Sequence, residues 1–127
     1  MAPNVIVSID DSASLADPGG IGMEALARAL RQAFGDPELL PDAKIRLSWQ
    51  AMANHGKPPE SGNVDAGGPQ PNAMRVLDMA HRNRFLAFVA GLAPAGTADA
   101  HRALGQADAY LRRPPGPDGP WATLPAR

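Results

Sequence analysis

The sequence predicts an α/β fold, the start of a doubly wound sheet of about three strands with flanking helices. Three observations point there. The first element, "NVIVSID" at residues 4–10, is a nearly continuous apolar run rich in β-branched residues, the pattern of a strand buried on both faces. An amphipathic helix pattern, "IGMEALARALRQAFG", comes next. A second strand pattern, "KIRLSWQAM", resumes after it. Strand, helix, strand is the unit from which parallel sheets are wound.

Each element has its own signature. Val5, Ile6, Val7 and Ile9 make the first strand, and "SLADPGG" breaks it. The helix is expected over about 21–34, with Met23, Leu26, Ala27, Leu30 and Phe34 at three- and four-residue spacing and Gly35 as its stop. In the second strand Ile45, Leu47 and Trp49 alternate with Lys44, Arg46 and Ser48, which predicts less complete burial than in the first. "ANHGKPPESGNVDAGGPQPN" is a long loop, and "AMRVLD" is a short third strand. "MAHRNRFLAFVAGL" is a helix carrying Phe85, Leu86, Phe88 and Val89. "APAGT" interrupts, and "ADAHRALGQADAYLRR" is a last helix with Leu104, Ala107 and Leu111 on one face. Residues 114–127, "PPGPDGPWATLPAR", form a Pro/Gly-rich tail that cannot continue a helix. The organisation is therefore one domain over 1–113 followed by the tail, without internal repeats.

Composition narrows the function classes. A chain of 127 residues with 44% hydrophobic content suits one small core. A formal net charge of -1 makes no electrostatic case for nucleic acid or an anionic membrane. The absence of cysteine excludes a disulfide framework and a thiolate metal site. No apolar run is long enough to span a bilayer. "MAPNVIVSID" lacks the ordered regions of a signal peptide, so no export signal is expected in the chain as written.

Chemistry concentrates where the first strand ends. Asp10, Ser12 and Ser14 form Asp-x-Ser-x-Ser. On a turn leaving a strand, alternate side chains converge, and one carboxylate with two hydroxyls is a hard oxygen set that suits Mg²⁺ or Mn²⁺. Asp and Ser are also ordinary turn residues, so a plain turn is the competing reading. Asp11 is either a second carboxylate for an ion or, more simply, a residue facing solvent or capping the turn. His55, His81 and His101 have no zinc-site spacing and read as structural or surface residues. Arg82, Arg84, Arg112 and Arg113 read as a solvated face. Trp49 and Trp121 are core or partner-contact residues.

"PNVIVSIDDSASL" resembles the first strand and metal-site turn of von Willebrand factor type A domains. The nearer resemblance is to the type A domain of the PilC/PilY family of type IV pilus tip proteins, which show Asp-Asp-Ser-Gly-Ser at this turn. Later segments are similar in order. "KIRLSWQAM" resembles the family's second strand, and "NAMRVLDMAHRNRFLAFVAGL" its Met-Arg-Pro segment and His-Arg-x-x-Phe helix. "AGTADAHRAL" resembles its Gly-Gly-Thr-Pro-Leu-Arg-x-Ala-Leu segment, and "ADAYLRR" and "GPWATLP" resemble the family's helix end and Pro-Trp loop. Ala13, Leu15 and Ala95 stand where the family has Gly, Met and Gly.

The resemblance implies a partial, Rossmann-like type A sheet whose C-terminal half is missing, since no Thr-Asp-Gly segment comes after the loop. It implies a metal-ion-dependent adhesion site of Asp10, Ser12, Ser14 and Thr97, holding Mg²⁺ or Mn²⁺ weakly in so short a chain. Thr97 also reads well as an N-cap for the last helix. The implied function is a non-enzymatic adhesion module of a pilus tip or biogenesis protein, exported to the pilus, cell surface or periplasm. Its partners would be pilus proteins or a carboxylate-bearing protein ligand. The first strand would be central but with a free side, inviting self-association. Two alternatives share the turn. An Asp-based phosphatase would use Asp10, but Ser12 stands where a phosphatase of that type has its second Asp; a phosphoacceptor would use Asp10 and Asp11, and no lysine partner is evident for either. An inert remnant of a truncated domain is the other.

Overall fold

The computed structural model describes residues 2–16, 22–53, 71–114 and 120–121. The long loop from residue 54 to 70, with His55, and most of the tail lie outside the described residues. The fold is mixed α/β. Strand β1 is Asn4–Ile9, followed by a single 3-10 turn, Ala13–Ala16. Helix α1 is Met23–Gly35, strand β2 is Arg46–Ala51 and strand β3 is Arg75–Val76. Helices α2, Met79–Ala90, and α3, Ala100–Leu111, complete it. The sheet order is β1-β2-β3. β1 and β2 are parallel, with Asn4 opposite Arg46 and Ile9 opposite Ala51, as a helical crossover demands. β3 runs antiparallel to β2. This architecture is compatible with part of a doubly wound sheet.

The two faces of the sheet differ. Leu47 and Trp49 of β2, with Val5 and Val7 beside them on β1, meet Ala27 of α1 and Phe85 and Val89 of α2. Trp49 packs edge-on to Phe85 at 5.2 Å, and Phe34 lies 5.1 Å from the same ring. The last residue of α1, Gly35, passes so close to α2 that a Cβ there would stand 3.2 Å from Leu86. The other face carries Arg46, Ser48 and Gln50. There Gln50 Nε2 donates to Ser8 Oγ and to the Ala103 carbonyl of α3, and Ser48 Oγ donates to the Asn72 carbonyl. The Tyr110 hydroxyl of α3 accepts the Met74 N–H.

Four expectations are corrected here. β2, not β1, is the central strand. All of β2 after Arg46 is buried, whereas β1 is mostly half-buried at the edge. Strand burial is set by neighbours on both sides, and Ser48 Oγ and Gln50 Nε2 of β2 enter the interior with hydrogen-bond partners, while Gln50 Oε1 is buried without one. On α3 the buried residues are Ala103, Ala107 and Tyr110, while Leu104 is 71% exposed. Arg82 does not belong to a solvated face. It is 1% exposed, with Nε donating to the Phe34 carbonyl, Nη2 to the Leu40 carbonyl and Nη1 to Asp42. Thr97 does not cap α3. Asp99 does, accepting the Arg102 N–H at 2.9 Å.

Trp49 belongs to the core. Trp121 is 40% exposed and donates through Nε1 to the Leu111 carbonyl. His81 is structural: it is fully buried against Trp49, with Nε2 2.7 Å from the Leu47 carbonyl.

Candidate functional site

β1 and β2 run in the same direction, so their carboxyl ends open at one edge of the fold, the place where α/β sheets bind ligands. The Met52 N–H donates to the Ile9 carbonyl and closes the sheet there. Asp10 comes immediately after and is exposed. Its Oδ1 accepts the Ser12 N–H at 2.9 Å, an Asx-turn that folds the chain back on itself. The Leu15 N–H then donates to the Ser12 carbonyl and starts the 3-10 turn. This local geometry brings the Ser12 and Ser14 hydroxyls to 2.8 Å from each other.

Hydrogen bonds from the Ser12 hydroxyl and then from its backbone N–H hold the Asp10 carboxyl below the usual range, against a small opposing effect of burial. Asp10 is therefore ionised at neutral pH, and it stays so well into acid.

Asp11 has a different role from its neighbour. It is 1% exposed, and its Oδ1 accepts the Ala53 N–H at 2.7 Å. The expectation that it faces solvent is corrected: the side chain turns inward and binds the segment that leaves β2. Its backbone carbonyl accepts the Ala95 N–H at 2.9 Å, and the Ala13 N–H donates to the Gly96 carbonyl at 3.0 Å. The loop between α2 and α3 is thus laced onto the β1 turn. Thr97, exposed, is the next residue after this lacing.

Asp10, Ser12 and Ser14 are hard oxygen donors, the type that suits a small divalent cation. Ligands at 90° around Mg²⁺, each at about 2.05 Å, lie about 2.9 Å apart, close to the Ser12–Ser14 separation of 2.8 Å. The set is weak in charge, because Asp10 is its one carboxylate and Asp11 Oδ1 is engaged with the backbone. Among the described residues no group of three or more His, Cys, Asp or Glu side chains is placed to hold a metal ion. Among them, too, no helix is long and apolar enough to cross a membrane.

The motif Asp-x-Ser-x-Ser was legible in the sequence. The use of Asp11 was not, since nothing in "DDSAS" distinguishes the outward carboxylate from the inward one. No protein-family model matches the chain, and no curated protein matches it.

Proposed function

We propose that this chain is a non-enzymatic, metal-dependent binding module of the adhesion type, similar to the type A domains of PilC/PilY pilus tip proteins. Asp10, Ser12, Ser14 and Thr97 would hold Mg²⁺ or Mn²⁺, and a carboxylate from a protein partner would complete the ion's shell. The observation that carries this reading is the turn at the carboxyl end of β1. There an ionised, exposed Asp10 sits beside two hydroxyls spaced like adjacent ligands of an octahedron. The lacing of residues 95 and 96 onto that turn supports Thr97 as the fourth donor.

The bound ion would supply a positive charge that recognises an acidic group, and the chain's residues orient it. Asp10 supplies the attraction. Ser12 and Ser14 supply neutral oxygens whose mutual hydrogen bond spaces them in advance.

A single carboxylate predicts weak binding. The expected dissociation constant for Mg²⁺ or Mn²⁺ is on the order of millimolar, about 4 kcal/mol. An ion at ten times that constant would stabilise the fold by only about 1.4 kcal/mol. Asp10→Asn should abolish the binding. Titration calorimetry on both proteins is the test. Micromolar affinity, or equal heats from Asp10→Asn, would show that the ion lies elsewhere. Phosphatase activity that depends on Mg²⁺ would favour an enzyme instead.

A further inference from the structure

The geometry points to Asp11 as the positioning residue of the site: it joins three separate loops into one unit and so sets where Thr97 stands. This goes beyond the proposed ion ligands, because Asp11 acts through backbone groups, and the junction it makes needs no ion.

The three loops are the β1 turn at residues 10–14, the exit from β2 at 52–53 and the stretch from 93 to 97 between α2 and α3. Asp11 bonds to both of the others. Its carboxylate takes the Ala53 N–H at 2.7 Å, and its backbone carbonyl takes the Ala95 N–H at 2.9 Å. One residue further, the Ala13 N–H to Gly96 carbonyl bond makes a two-rung ladder between 11–13 and 95–96. Gly96 sits at φ 70°, where a Cβ would stand 3.5 Å from the Ala53 Cβ. The second and third loops therefore lie side by side, with room for no more than a methyl group between Gly96 and Ala53. That left-handed conformation favours glycine, and it places the carbonyl of residue 96 on the turn just before Thr97.

The consecutive acids thus divide the work. Asp10 is exposed and offers its charge outward, while Asp11 is buried and spends its Oδ1 on a backbone donor. The Ala53 N–H is half-buried, and a donor partly shielded from water that loses its acceptor carries a cost. Removing the Asp11 carboxylate therefore frees the Ala53 segment, which lies beside Gly96. The Asp11 carbonyl survives any side-chain substitution, so a loss of order at Ala95 and Ala13 reports positioning and not a deleted bond.

Amide hydrogen exchange of the whole chain by NMR tests this. In Asp11→Ala, exchange at Ala53, Ala95 and Ala13 should quicken about tenfold or more. The Leu77 amide, bonded to the Ile45 carbonyl in the sheet, should keep its protection. Asp11→Asn keeps an acceptor at Oδ1 and is the variant to use where alanine prevents folding. It should fall between wild type and Asp11→Ala. Faster exchange at Ala53 alone would overturn the inference, and so would an equal loss at Leu77 or identical behaviour of Asn and Ala.

A second arm rests on the proposed ion site and uses Mn²⁺ alone as a paramagnetic probe. Millimolar Mn²⁺ should broaden the Ser12 and Thr97 amides of wild type. Asp11→Ala should keep the broadening at Ser12 and weaken it at Thr97, whereas Asp10→Asn should lose both. Unchanged Thr97 broadening in Asp11→Ala would overturn the positioning role. No broadening in wild type would refute the ion site and leave the exchange data to decide on Asp11.

Discussion

Arg82 shows how much one buried cation can organise. Its guanidinium reaches from α2 to the last turn of α1 and to the segment beyond it, bonding two carbonyls and the Asp42 carboxylate. Arg82→Ala would leave the part-buried Phe34 and Leu40 carbonyls without this donor, a loss expected to cost about 2 kcal/mol. The ion pair itself is a minor part of that, because Asp42 is 53% exposed and solvent screens it. Asp42→Ala should accordingly cost under about 1 kcal/mol. Urea unfolding of the two variants separates the contributions: equal destabilisation would mean that charge pairing, and not carbonyl satisfaction, is what Arg82 provides. From sequence, Arg82 looks like any helical arginine. Only the return of the chain after α1 supplies its acceptors.

Among the elements, β1 and β2 exchange the roles that their compositions suggest. β1 has the more apolar run, yet among the described residues β2 is its one strand partner. Among the described residues no strand pairs with its outer edge, which is flanked by Val5, Ile6 and Val7, all half-buried. Such an edge pairs readily with another strand. Sedimentation velocity should show oligomers at modest concentration, and a proline in place of Ile6 should reduce them by removing a ladder donor. A monodisperse monomer across the concentration range would mean that the edge is covered. β2, by contrast, hides a polar face. Gln50 bridges β1 and α3, so α3 is fastened to the sheet by hydrogen bonds and small side chains, with Leu104 left outside.

At the scale of the whole molecule, His81 makes stability depend on pH. Burial lowers its affinity for a proton, Arg75 and Arg84 lower it further, and the Leu47 carbonyl and Asp78 oppose them. The neutral ring donates from Nε2 to Leu47, while Nδ1 lies 3.4 Å from the Arg84 guanidinium. An unfolded histidine takes up a proton near about pH 6.5, and the folded one does so only at lower pH. The contribution of His81 is therefore complete above about pH 6.5 and is lost as pH falls below it. Asp10 and Asp78, both held below the usual carboxylate range by hydrogen bonds at their turns, add a second loss at lower pH. Urea midpoints measured from pH 8 to pH 3 should show both steps. His81→Gln should erase the upper one and leave the lower, and a profile flat between pH 7 and pH 5 in wild type would contradict the assignment.

The order of elements was readable from periodicity alone, because a strand's two-residue and a helix's 3.6-residue repeats are written in the chain. So was the turn of Asp10, Ser12 and Ser14, since strand exits and hydroxyl-rich turns have local signatures. What the periodicity could not carry was set by partners distant in sequence. Pairing with both β1 and β3 made β2 central. The Ala53 N–H drew Asp11 inward while Asp10 stayed out. The lacing of residues 95 and 96 brought the Thr97 loop to the turn, and Asp99 capped α3 in its place. A linear pattern records which residues prefer to leave water. Which of them succeed depends on the donors, acceptors and surfaces that only the folded chain brings within reach.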